Sequence, residues 1–281
     1  MTTTPAPTSS AGPLPSLLDS TLSARPRPPR AGRLSASLTF AGRALLKIKH
    51  VPEQLADAIM IPILFTVMFT YLFGGAMAGS TREYLQFLLP GTMVFAVLLI
   101  TVYAGVNLKT DISRGVIDRF RSMPVWRPAL IVGGLISDAG RNLLAAGLVL
   151  ALGLAMGFRP AGGVTGVLLA IALVLAFAFG LSWIWATLGI VLRTPAAVST
   201  ISFLVQFPLT FASNVFVDPA TMPGWLRAFV EYNPVSQLVD AVRGLMHGTP
   251  DTGQIGWVLI AATLLVAVFG PVTMRLYRSR T

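Results

Sequence analysis

Six long apolar stretches set the rhythm of the chain: Gln54 to Gly74, Leu85 to Leu108, Ala129 to Phe158, Val164 to Leu192, Ala196 to Val217 and Ile255 to Tyr277. Each is near or above the ~20 residues an α-helix needs to cross a bilayer, so the pattern predicts six spans. Polar positions collect in the connections. From Arg33 to His50 the pattern is amphipathic: Leu34, Leu38, Ala41, Leu45 and Ile48 share one helical stripe, with Arg33, Arg43, Lys47 and His50 opposite. That predicts a helix lying in the membrane surface, its basic face toward anionic lipid headgroups. Pro52 separates it from the first span.

Between spans two and three lies DISRGVIDRFRSMPVW, which is dense in charge. Read as a helix, it puts Ile112, Val116 and Phe120 on one face with Ile117 beside them. Asp111, Arg114, Asp118, Arg119 and Arg121 supply the polar faces around Gly115. Pro124 should end the element near Ser122. Too short and too charged to span, it suits a groove on a soluble partner. The connection from Ser213 to Gln254 is long and carries two more helix signals. One runs from about Pro223 to Glu231, with Arg227 and Glu231 at i,i+4. The other has Asn233 as N-cap and Pro234 at the first helical position. Its apolar face is Val235, Leu238, Val239, Val242, Leu245 and Met246, Asp240 and Arg243 can pair, and Gly248 is the stop. Neither reaches spanning length, which predicts an outer re-entrant hairpin.

Composition fits this picture: 54% of residues are hydrophobic and mean hydropathy is +0.73, far from a soluble domain. The net charge of +10 is read as topology rather than as affinity for nucleic acid. Fifteen Lys and Arg fall on the side that holds both termini and four on the other. The positive-inside rule therefore places both termini in the cytoplasm. The first thirty residues hold seven of the twenty prolines and no sustained apolar run, neither a core nor a signal peptide. Residues 1–32 are expected to be a disordered cytoplasmic tail, and residues 33–281 the transmembrane domain.

The candidate chemistry is sparse. With no cysteine, disulfides and thiolate metal sites are excluded. There is no Gly-Lys pair to make a phosphate-cradling loop. His50 and His247 lie on opposite sides of the predicted membrane, so an intramembrane hydrolase is not indicated. Asp138 and Arg141, three apart, read as a structural ion pair near the cytoplasmic end of an overlong span, although Asp138 is the one candidate for a proton-coupled secondary transporter. Span five is polar for lipid, through Ser199, Thr200, Ser202, Gln206, Thr210, Ser213 and Asn214. It should face a dimer seam or a translocation path, with Ser202, Gln206, Thr210 and Asn214 as the path residues, or else bond to neighbouring helices. Trp183, Trp185, Trp225 and Trp257 can stack on a flat cargo or anchor at the interface. Gly153 and Gly157 form a GxxxG that can mark a helix contact.

The D-x-x-R-G-x-x-D-R-x-R-x-M-P pattern from Asp111 and the later PGWLRAFVEYNPVSQLVDAVRGLMHG resemble ABC-2 type permeases, especially drug exporters of the daunorubicin/doxorubicin-resistance type. The resemblance runs from about Leu34 to the C-terminus. It implies an all-α membrane protein with six transmembrane helices, an N-terminal amphipathic interface helix (Arg33, Arg43, Lys47), a cytoplasmic coupling helix and an outer re-entrant hairpin. Asp111, Ile112, Arg114, Gly115, Val116, Asp118, Arg119, Phe120 and Arg121 would form the coupling helix. Asn233, Pro234, Asp240 and Arg243 would carry the outer motif. It also implies a bacterial plasma-membrane permease that dimerises and pairs with two copies of an ABC ATPase subunit. ATP and magnesium would bind in that partner and no cofactor in this chain. The cargo would be a hydrophobic drug or antibiotic; the alternative within the family is a lipid-linked polysaccharide or lipid.

Overall fold

The computed structural model describes residues 52–115 and 129–279. Among these residues there are eight α-helices, one 3-10 turn and no strand. The helices are α1 (Pro52–Ala78), α2 (Thr81–Ser113), α3 (Ala129–Met156), α4 (Gly163–Val191) and α5 (Pro195–Phe211). The turn Pro219–Thr221 follows, then α6 (Gly224–Tyr232), α7 (Pro234–His247) and α8 (Thr252–Ser279). Five of them, α1, α2, α3, α4 and α8, are long and apolar enough to cross a membrane. The all-helical, multi-pass expectation therefore holds. The tail, the surface helix with Arg33, Arg43 and Lys47, and Val116 to Arg121 lie outside the described residues.

Local sequence sets the helix starts. Ser80 caps α2, its hydroxyl accepting from the Glu83 N–H at 3.1 Å. Thr194 does the same for α5, accepting from Ala197 at 3.1 Å, and Pro195 takes the first helical position, where no N–H is needed. Gly248 at φ 78° ends α7 in the left-handed region.

The centre of the fold is α2, which packs against α1, α3, α4, α5 and α7. Its residues from Leu88 to Val102 are buried on every side, the signature of a helix that is apolar all round. Close approach depends on glycine. A Cβ on Gly105 would stand 2.2 Å from the carbonyl oxygen of Trp185, and one on Gly189 would stand 2.5 Å from that of Gly105. The α2 and α4 backbones therefore touch where both lack a side chain, as small residues allow inside membranes. One turn away, Trp185 Nε1 donates to Thr101 Oγ1 at 3.0 Å, which gives the buried indole its partner. Across the bundle, Gly162 and Gly166 at the start of α4 lie against the Leu245 carbonyl of α7.

Some expectations change. Span five was drawn from Ala196 to Val217, but α5 stops at Phe211 after 17 residues, about 25 Å of helix. Residues Ser213, Asn214, Val215 and Phe216 are non-helical yet buried. Two tertiary hydrogen bonds, described below, close the end of α5. Of the GxxxG pair, Gly153 does mark a helix contact, its Cα lying against the Leu89 side chain. Gly157, at φ 105°, lies past the end of α3 and begins the turn instead.

Candidate functional site

The outer connection is organised by two side chains. Asn233 stands between α6 and α7, and its Oδ1 accepts from the Val235 N–H at 2.9 Å, the expected N-cap. Its Nδ2 turns the other way and donates to the carbonyls of Leu209 and Ala212, each at 2.7 Å. Those are among the last carbonyls of α5, which a helix end leaves without intrahelical donors. One asparagine thus starts α7 and closes α5. This is why α5 ends short of the hydropathy run.

Arg243 is the second. Its Nη1 donates to Asp240 Oδ1 at 3.0 Å, Nη2 to the Asn214 carbonyl at 3.0 Å and Nε to the Phe87 carbonyl at 3.3 Å. The guanidinium also lies 4.0 Å from the Phe87 ring centroid, a cation–π contact. Asn214 Nδ2 in turn donates to Asp240 Oδ1 at 2.6 Å. The planar guanidinium fork ties α7, α2 and the segment after α5 together, which a point charge such as lysine does not reproduce. Burial raises the Asp240 carboxyl above its usual range, opposed by Arg243 and by the Asn214 amide. Burial also lowers Arg243, opposed by the carboxylates of Asp240 and Asp218. Pro234 is the first residue of α7, and the Arg243 cluster forms a brace between α7, α2 and the segment after α5. The Phe87 contact has no signal in the sequence, because 156 residues separate it from Arg243.

Beside the brace runs the polar stripe of α5. Ser202, Gln206 and Thr210 are 0% exposed and Asn214 is 2% exposed. Gln206 Nε2 donates to Thr210 Oγ1 at 3.0 Å, and Ser213 Oγ donates to the Thr210 carbonyl. Ser202 Oγ, Gln206 Oε1 and Asn214 Oδ1 have no protein partner. The outward face of α5 is instead mainly apolar: Ile201, Leu204, Val205, Phe207 and Phe211 are exposed, with Thr200 beside them. The stripe therefore faces the interior of one chain, closed mainly against α2. Bonds within the helix and its C-terminal turn satisfy part of it.

At the other end of the bundle, Asp111 and Ile112 form the last turn of α2 rather than the start of a separate helix. Arg114 is the C-cap and Gly115, at φ 66°, breaks the helix. At 33 residues α2 is about 50 Å long against a hydrocarbon core of about 30 Å, so its ends project from the bilayer. Asp138 and Arg141 form their ion pair, and their side chains are 7% and 12% exposed. Trp185 and Trp183 are buried, whereas Trp225 and Trp257 are exposed.

Residues 37–247 match the family model described as ABC-2 type transporter. The chain belongs to the ABC-2 type transporter family. It is 50% identical over 280 residues to the daunorubicin resistance ABC transporter permease protein DrrB1 of Streptomyces coeruleorubidus, covering 100% of this chain and 99% of that one. It is 28% identical over 234 residues to the doxorubicin resistance ABC transporter permease protein DrrB of Mycobacterium tuberculosis, covering 80% of this chain and 79% of that one. The ABC-2 match starts at residue 37, includes the charged segment after α2 and the whole brace, and ends at His247.

Proposed function

We propose that this chain is the permease subunit of an ABC exporter for a hydrophobic drug or antibiotic, energised by a separate ATPase subunit. The observation that carries the reading is 50% identity along the whole chain to a permease named for daunorubicin resistance. In this reading α5 is a sixth, short span, which places both termini in the cytoplasm of a bacterial plasma-membrane protein. The permease works as a dimer with two ATPase copies, and ATP and magnesium bind in those partners. The projecting end of α2 with Asp111, Ile112, Arg114 and Gly115, continued through Val116, Asp118, Arg119, Phe120 and Arg121, contacts the ATPase. Arg33, Arg43 and Lys47 hold the interface helix on the membrane. The α6–α7 hairpin with Asn233, Pro234, Asp240 and Arg243 forms the outer end. ATP biases the permease only through contacts that differ between its two states, and this contact is where they arise.

The test is co-purification from gently solubilised native membranes. A soluble ATPase should come down with the wild-type chain in equal amount, and the double charge reversal Asp118→Arg with Arg119→Asp should release it without lowering permease level. Recovery of the wild-type chain alone, under conditions that keep known complexes intact, would overturn the reading.

For the path we take Ser202, Gln206, Thr210 and Asn214, uncovered when α5 and α2 part. The support is the three unpartnered oxygens of Ser202, Gln206 and Asn214, since a buried acceptor without a donor costs about 1–3 kcal/mol. Gln206→Leu should therefore leave thermal stability unchanged or higher, while daunorubicin efflux from whole cells falls. Unchanged efflux would make the stripe purely structural.

A further inference from the structure

Of the two α-helices in the outer connection, α6 is the one that the bundle leaves largely uncovered. It has nine residues, and at about 100° per residue they sort onto three faces. Leu226 and Val230 form the first, and Val230 is 1% exposed, docked against the protein. Arg227 and Glu231 form the second, joined at 2.9 Å with both side chains more than half exposed. Trp225, Phe229 and Tyr232, at i, i+4 and i+7, form the third, and they are 76%, 53% and 85% exposed. The next helix shows no such face. In α7, Val235, Leu238, Val239, Val242, Leu245 and Met246 are all buried, so its apolar stripe is already covered by its own chain.

We propose that the aromatic face of α6 lies in the boundary between headgroups and acyl chains of the outer leaflet. A helix lying flat on a bilayer beside a bundle meets three media: protein, water and lipid. The faces of α6 carry the residue types each medium selects. Leu226 and Val230 meet protein, the Arg227–Glu231 pair stays in water, and the three aromatics reach lipid. Tryptophan and tyrosine suit that depth because each has an apolar body and a polar tip. A second copy of the chain is the weaker occupant. Three aromatic side chains offer about 450–750 Å² at full burial, less than the ~800 Å² per partner of a stable interface. Lipid contact needs no minimum area when the spans already hold the chain in place. The inference rests on the six-span reading for its choice of the outer leaflet, though not for contact with lipid.

The chain contains no cysteine, so single cysteines can be labelled without background. Trp225→Cys, Arg227→Cys, Phe229→Cys, Glu231→Cys and Tyr232→Cys, in the full chain reconstituted in phosphatidylcholine–phosphatidylglycerol vesicles, would each carry an environment-sensitive NBD label. Labels at 225, 229 and 232 should be blue-shifted and quenched about twofold by shallow nitroxide lipids, as expected for side chains ~5–10 Å deep. Labels at 227 and 231 should respond to aqueous cobalt instead. Equal water access at all five positions would overturn the proposal. So would protection of 225, 229 and 232 without lipid quenching, which would point to a second copy. In the unlabelled protein, Trp225→Phe should remove a large part of the tryptophan emission that brominated lipids quench, and no change would count against it. Cobalt acting on 227 and 231 only from the cytoplasmic side would uphold lipid contact and overturn the six-span topology.

Discussion

Gly105→Val should leave almost no folded protein in the membrane. The position is in the last third of α2, where the α4 backbone lies so near that even a single added carbon would be 2.2 Å from the Trp185 carbonyl oxygen. Backbone cannot step aside as a flexible side-chain tip does. The facing Gly189 has the same intolerance toward the Gly105 carbonyl, so neither helix can yield without opening the seam. Overpacking costs about 1–3 kcal/mol in an adaptable core, and this site has less room to adapt. Gly105→Ala is the sharper comparison. In a helix interior, alanine should gain about 1 kcal/mol over glycine, yet we expect a net loss here. Gly147→Ala on α3, where an added carbon meets nothing within 4 Å, should be neutral or slightly stabilising. Thermal unfolding in mild detergent, followed by size-exclusion recovery, separates the three. A Gly105→Ala protein as stable as Gly147→Ala would mean that the α2–α4 contact is looser than described.

The second large effect is expected at Arg243. Arg243→Met keeps much of the side chain's bulk and removes three donors at once. It leaves the Asn214 and Phe87 carbonyls without this partner and Asp240 without its cation. Breaking a buried pair from one side costs about 3–5 kcal/mol. The Asp240 side chain is 35% exposed, so solvent reduces that to about 2–3 kcal/mol. Asp240→Asn should cost much less, because an amide oxygen still accepts from Arg243 and from Asn214. The order of apparent melting temperatures, wild type above Asp240→Asn above Arg243→Met, is the check. Arg243→Lys should fall near Arg243→Met, since one ammonium cannot serve three acceptors and the Phe87 ring together. A Lys variant indistinguishable from wild type would show that charge alone, and not the fork, holds the outer end.

The two predictions mark where reading the sequence stops. The sequence by itself determined the class, the order of the helices and much of the local chemistry. Runs of apolar residues cannot be stable in water, and Asn233, Pro234 and Gly248 act on their own neighbours. The Arg227–Glu231 and Asp240–Arg243 pairs are likewise visible, because three or four residues make one helical turn. Only the tertiary structure decided the rest. That α5 ends at Phe211 depends on an amide from Asn233, more than twenty residues away. That its polar stripe turns toward α2 and not outward is equally invisible in a helical wheel, because the wheel shows which residues share a face but not what that face meets. That Arg243 rests on Phe87, and that Gly105 meets Gly189, follows from which helices touch. Among 26 glycines no local pattern singles out the two that do. Hydropathy and capping act within a turn or two of chain, whereas these contacts bring together segments that share a neighbourhood only after the helices have packed.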